Sequence, residues 1–202
     1  MNSSIIYKPL SKHVSEATGR TISYLVIHFT AGTKSISGTA LNGIYNTFMS
    51  RNASADFAVD DVDMVQFNPD LKNYYCWAVG DKKNVYSSGG TLYGKVTNKN
   101  SISIEICSTC SPVNNTTLNA ANHKGWSFSE AALNNAVKLA KILMNKYNIP
   151  LNNVVRHYDV TGKLCPGVIG WNNETIYDVT TGKATTEKSN SAMWETFKSK
   201  LK

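Results

Sequence analysis

The sequence predicts an α/β fold: a single domain with a central, mostly mixed β-sheet flanked by α-helices. Three observations predict it. Ile22-Ser23-Tyr24-Leu25-Val26-Ile27-His28-Phe29 is a β-rich, nearly unbroken apolar run, the mark of a buried central strand. Ser101-Ile102-Ser103-Ile104-Glu105-Ile106 alternates strictly, as a strand with one covered face does. After Ser129, the residues Leu133, Ala136, Val137, Ala140, Leu143 and Met144 recur at helical spacing. Strands interleaved with helices place the helices against a sheet.

The elements follow in order. Ala31-Gly32-Thr33 breaks the first strand. Leu41, Ile44, Tyr45, Phe48 and Met49 then predict a helix over Thr39 to Met49. Ala55 to Val59 and Val62 to Phe67 read as two short strands joined at Asp60-Asp61, and Asn73 to Val79 as another. The stretch from Gly80 to Asn100, rich in Gly, Ser, Lys and Asn, predicts a long surface loop, and Ser111 to Lys124 a second. Ser129 suits the N-cap of the long helix, which should end near Asn148, before Pro150. Val154 to His157 predicts a short strand that His157 ends. Trp171 to Lys188 reads as irregular, with one helical turn at Thr175 to Val179. A last helix over Asn190 to Leu201 turns Ala192, Met193, Trp194, Phe197 and Leu201 inward.

The 202 residues suit one domain, 1–202, with a sizeable core. A hydrophobic fraction of 42% and a charged fraction of 17% belong to a globular chain. No apolar run approaches the roughly 20 residues that span a bilayer. Met1 to Lys12 lacks the basic and apolar regions of a secretory signal, so synthesis in the cytoplasm is expected. If the protein acts outside the cell, something else must release it.

The net charge of +7 favours a polyanionic partner. The basic residues are scattered, with no Arg-rich run and no nucleic-acid motif, so specific nucleic-acid recognition is not expected. Cys107 and Cys110 form a Cys-x-x-Cys pair, but a four-cysteine metal site would need a second pair. Cys76 and Cys165 are the other cysteines. A cytosolic origin argues against a disulfide framework and leaves Cys107 and Cys110 as ordinary thiols, or a disulfide formed only outside the cell.

The chemistry concentrates in Arg156-His157-Tyr158-Asp159-Val160-Thr161-Gly162-Lys163-Leu164-Cys165-Pro166-Gly167. His157 and Cys165 stand eight apart, with Lys163 two before the cysteine and a Pro-Gly turn after it. His28 lies far upstream, at the C-terminal end of the buried strand, where α/β sheets place their sites. A lone histidine there is more often structural. Two imidazoles and one thiolate, however, make a three-ligand zinc site with a fourth position left for water.

Five pieces in order carry a resemblance: Tyr24 to Gly32, Ala53 to Asp61, Trp77-Ala78-Val79-Gly80, Asn100 to Glu105, and His157 to Gly167. Together they resemble the zinc-dependent N-acetylmuramoyl-L-alanine amidases of type 2, the fold shared by phage lysozyme-amidases and peptidoglycan recognition proteins. The resemblance runs from about Ile22 to Phe197 and points to a phage-type endolysin or an autolysin. It implies that His28, His157 and Cys165 are ligands of Zn2+. It implies that Glu105 is the catalytic carboxylate and that Lys163 steadies the oxyanion. The expected reaction is hydrolysis of the amide between N-acetylmuramic acid and L-alanine in bacterial peptidoglycan. The expected form is a monomeric catalytic domain with no separate wall-binding domain, released to the wall after cytoplasmic synthesis and helped there by attraction to anionic wall polymers.

Two positions depart from the family pattern. Relatives often carry Ser-Ala-His-Tyr where this chain has Asp56 at the third place, and Trp-His-x-Gly where it has Ala78. Neither is a zinc ligand in the pattern. Where some phage enzymes use a catalytic tyrosine, Ala55 stands here, which puts the general-base role on Glu105. A non-catalytic peptidoglycan recognition module is the competing reading; that branch typically loses the cysteine ligand, and Cys165 is present.

Overall fold

The computed structural model describes residues 4–31, 40–111, 125–167, 174–177, 181, 183–188 and 192–202. Along the chain come β1 (Ile5–Tyr7), β2 (Val14–Glu16), β3 (Tyr24–Phe29), α1 (Ala40–Ser50), β4 (Phe57–Val59), β5 (Met64–Gln66) and β6 (Tyr74–Cys76). They are followed by β7 (Ser101–Ile106), β8 (Thr109–Cys110), β9 (Trp126–Ser127), α2 (Glu130–Tyr147), β10 (Val154–Arg156), α3 (His157–Thr161), β11 (Thr175–Tyr177), β12 (Ala184–Lys188) and α4 (Ala192–Ser199).

Six strands form one mixed sheet in the order β1-β5-β4-β7-β3-β10. Only β4 and β5 pair antiparallel within it; the other neighbours run parallel. The two central strands are the two the sequence marks most clearly. Buried on both faces, β3 packs Leu25, Val26 and Ile27 with no exposure at all.

The parallel register of β3 and β7 sorts their side chains into two sets. Leu25, Ile27, Ile102, Ile104 and Ile106 join Ala132, Ala136, Leu139, Ala140 and Leu143 of α2 and Trp194 and Phe197 of α4 in the main core. Enclosing a single isoleucine there contributes about 2 kcal/mol. The opposite face carries Val26, His28, Ser103 and Glu105. At one side of that face, α1 lays Leu41 and Phe48 over Ala58 and Val65. At the other side, Val160 of α3 meets Val26, Val155, Val79 and Val96. The two helices leave the ends of β3 and β7 between them.

The long helix begins and ends where its capping residues dictate. The Ser129 hydroxyl accepts from the Ala132 N–H, and Asn148 closes the helix in the left-handed conformation with φ 54°. Three expected elements change, and Ala192 and Met193, expected to face inward on the last helix, are exposed. His157 does not end a strand: β10 stops at Arg156 and His157 opens α3. Asp159 causes the switch, because its carboxylate accepts from the Arg156 backbone N–H at 2.8 Å and caps the first turn. Thr175 to Tyr177 is a strand paired with β12, not a helical turn; Thr and Ile favour strands once a partner lies alongside. Of Asn73 to Val79, only Tyr74–Cys76 is a strand, paired with β2. The loop expected at Ser111 to Lys124 lies mostly outside the described residues, as do the break at Gly32-Thr33 and the first residue of the helix expected from Thr39.

A buried polar network ties β4 to β7. Asp56 accepts from the Ser103 N–H and hydroxyl, both at 2.8 Å, and from Asn68 Nδ2 at 2.6 Å, and it faces the Arg20 guanidinium at 3.6 Å. The Ser103 hydroxyl accepts in turn from the Asp56 N–H at 2.9 Å. This is the position where the family pattern has histidine, and here its role is to hold two strands together.

Candidate metal centre and active site

His28, His157 and Cys165 come from three segments and meet on one side of the sheet. Their ligating atoms all lie within 4.8 Å of one another, and all three residues are buried. The imidazole centroids of His28 and His157 are 4.5 Å apart. Among the described residues this is the one such group of three.

Local structure explains the convergence. His28 is the fifth residue of β3, on the face opposite the main core. His157 follows Arg156, the last residue of the neighbouring β10. The chain then makes one short helix, turns at Gly162 with φ 79°, and returns so that the Tyr158 N–H donates to the Cys165 carbonyl at 2.9 Å. Gly167 completes the turn with φ 58°; a Cβ there would stand 2.9 Å from the Phe29 ring, so only glycine fits.

The electrostatics suit a cation. Burial, the His157 ring and the Lys163 charge hold His28 well below the ordinary histidine value. Burial and Lys163 lower His157 to about 3. Both rings are therefore neutral near pH 7, and His28 Nε2 and His157 Nδ1 are enclosed without a hydrogen-bond partner. Burial and the nearby Glu105 push the Cys165 thiol up to about 12, against the pull of Lys163 and a hydrogen bond from the Phe29 backbone. Two neutral imidazole nitrogens and a thiol that a dication would deprotonate form a donor set that fits zinc. Unpaired buried nitrogens are costly, and a bound ion would satisfy them.

Glu105 stands beside this group as the register partner of His28. The residue is half-buried, yet its Oε2 is enclosed and has no partner. Burial raises its carboxyl to about 8, although Lys163 and Arg51 pull it down. Lys163 is exposed, and its charge acts on His28, His157, Cys165 and Glu105 alike. The structure thus brings all five candidate residues to one place. Sequence reasoning missed Arg51, whose charge also reaches Glu105. It follows the last residue of α1, and only the packing of α1 over the sheet brings it near.

Cys107 and Cys110 are not brought together as a site. Cys107 packs with Phe67 and Ala58, and Cys110 with Phe29 and Trp126, in separate apolar clusters. All four cysteines are free and buried.

The family model of N-acetylmuramoyl-L-alanine amidase matches residues 18–168, a span containing all five candidate residues. N-acetylmuramoyl-L-alanine amidase XlyA of Bacillus subtilis (strain 168) is 34% identical over 71% of this chain and 39% of its own length. N-acetylmuramoyl-L-alanine amidase CwlH of the same organism is 32% identical over 71% of this chain and 46% of its own. The match with XlyA and CwlH thus takes in less than half of either relative. The solved catalytic domain of XlyA superposes with a TM-score of 0.62 at 26% identity, covering 98% of this chain and 99% of that one. PlyL superposes with a TM-score of 0.61 at 25% identity, covering 98% and 97%. The chain belongs to the N-acetylmuramoyl-L-alanine amidase family.

Proposed function

We propose that this family member is a zinc-dependent amidase that hydrolyses the bond between N-acetylmuramic acid and L-alanine in bacterial peptidoglycan. The observation that carries the reading is the buried His28, His157 and Cys165 group, with two unpartnered nitrogens, set beside a half-buried carboxyl. When bound there, zinc supplies a Lewis acid for the scissile carbonyl and lowers the pKa of water toward about 7.

The remaining steps belong to the chain's own residues. Burial raises the Glu105 carboxyl of the metal-free chain to about 8, and a bound dication would draw it back toward neutral pH, where a carboxyl both accepts and returns a proton. Glu105 takes the proton from the attacking water and hands it to the departing amine of L-alanine. The Lys163 ammonium, exposed at the mouth of the group, steadies the negative charge that develops on the carbonyl oxygen.

In this reading residues 1–202 form one monomeric catalytic domain that works on the cell wall, as an endolysin or autolysin does. No helix of the described residues is long and apolar enough to cross a membrane. The net charge of +7 draws the domain toward anionic wall polymers, so lysis should fall as salt screens that attraction. A non-catalytic recognition role is disfavoured by the presence of Cys165 within the group.

The test is removal of zinc by a chelator, followed by measurement of free N-terminal alanine released from purified walls. Activity should disappear and return with added zinc. Activity that survives both chelation and Cys165→Ser rules the reading out.

A further inference from the structure

The segment carrying His157 and Cys165 is held from outside by the loop between Gly80 and Asn100. α3 has five residues, and the carbonyls of so short a helix need partners beyond it. At its start, the Arg156 N–H and guanidinium both bind the Asp159 carboxylate. At its end, residues 84–92 supply the donors. The Asn84 N–H donates to the Thr161 carbonyl at 2.7 Å, the Gly90 N–H to that of Tyr158 at 2.9 Å, and the Leu92 N–H to that of Asp159 at 2.8 Å. The Ser87 hydroxyl and Asn84 Nδ2 donate to the Gly162 carbonyl at 2.6 and 3.2 Å.

The contact is also sterically close. A Cβ at Gly89 would lie 2.5 Å from the Tyr158 carbonyl oxygen and 2.9 Å from Gly162 Cα, both backbone atoms that cannot swing away. The Tyr158 side chain is 1% exposed, and its hydroxyl lies 2.6 Å from the Ser88 hydroxyl and 3.2 Å from Glu174. Tyr158 is therefore gripped at its carbonyl and its hydroxyl by the loop, while its N–H holds the Cys165 carbonyl.

We propose that residues 84–92 are a splint that sets the spacing of His157 and Cys165, with Gly89, Ser87 and Ser88 as positioning residues acting through Tyr158 and Gly162. None of them contacts a reacting atom in this role. The inference rests on the reading of His28, His157 and Cys165 as metal ligands. Loosening the splint leaves β10 paired with β3 and Val160 in its apolar cluster, so the fold persists while the ligand spacing relaxes.

The experiment measures zinc affinity of the full chain by competition with a chromophoric chelator, together with the visible spectrum of the cobalt-substituted protein. Gly89→Ala and the double variant Ser87→Ala/Ser88→Ala are compared with Gly80→Ala, where a Cβ meets nothing within 4 Å. Gly89→Ala should weaken zinc binding by about tenfold or more and alter the cobalt spectrum. Melting of the metal-free double variant should move by no more than about 4 °C. Gly80→Ala should match the parent. If Gly89→Ala does not fold, the double variant decides, with a weaker but measurable loss of affinity expected. Unchanged affinity and spectrum in the folded variants overturn the splint alone. A parent that binds no zinc, or binds it equally well with Cys165→Ser, overturns the metal reading and the splint with it.

Discussion

His28 and Glu105 are register partners on the parallel strands β3 and β7, so both side chains leave the sheet on the same face from backbones about 4.8 Å apart. The sheet itself therefore fixes the carboxyl beside the group of His28, His157 and Cys165. No loop movement is needed to assemble them, and that rigidity makes the pair a good target for substitution.

Glu105→Gln keeps the shape of the side chain and removes the proton acceptor. Wall hydrolysis should fall by about 10²- to 10⁴-fold. The zinc content of the purified protein, measured by atomic emission, should stay at the parent level. A variant that retains full activity removes Glu105 from the mechanism.

The same residue should shape the pH dependence of the metal-free chain. Its folded value of about 8 lies above the ordinary 4.5. Below pH 4.5 the carboxyl is neutral in both states. Between pH 4.5 and about 8 the unfolded chain ionises this carboxyl while the folded chain keeps the proton, so its contribution to stability is lost across that window. The lowered His28 and His157 act with the opposite sign, so the loss is read as a difference: from pH 5 to pH 8 the urea stability of the metal-free parent should fall relative to that of Glu105→Gln. Equal slopes for both chains would contradict it.

Asp56→Ala removes the centre of the network joining Ser103, Asn68 and Arg20. It leaves the Arg20 guanidinium, whose side chain is 2% exposed, without its counter-charge. Breaking a buried pair in this way costs about 3–5 kcal/mol. The melting temperature should drop by roughly 10 °C or more by calorimetry. A drop of less than about 2 °C would mean that the network does not hold β4 to β7.

The thiols should be inert in the folded protein. Burial raises Cys76, Cys107 and Cys110 above the ordinary cysteine value. In the zinc-loaded chain a thiol reagent at pH 8 should label almost nothing within minutes, and all four cysteines should react in guanidinium chloride. Rapid labelling of Cys107 or Cys110 in the native chain would contradict their burial in separate apolar clusters.

Much of the architecture was legible in the order of residues alone. Ile22 to Phe29 could only be a buried strand, and the alternation of Ser101 to Ile106 correctly put Ser103 and Glu105 on one face and the isoleucines on the other. Ser129 and Asn148 bracket α2 by local chemistry. Such elements are long or strongly periodic, so each carries its own signal. The short strands at Ile5–Tyr7, Val14–Glu16 and Trp126–Ser127 carry none, because two or three residues become a strand only when a partner strand satisfies their backbone.

The site divides in the same way. Residue types and spacing marked His28, His157 and Cys165, since the donors of a metal group must be histidine, cysteine or carboxylate whatever the fold, and the family resemblance added Glu105 and Lys163. What the sequence by itself determined was therefore the chemistry available and the strands and helices strong enough to announce themselves. Tertiary structure alone decided that His157 opens a helix, that Arg51 comes near Glu105, and that residues 84–92 grip Tyr158 and Gly162. Each of these depends on atoms distant in sequence meeting in space, and no local pattern of side chains encodes such a meeting.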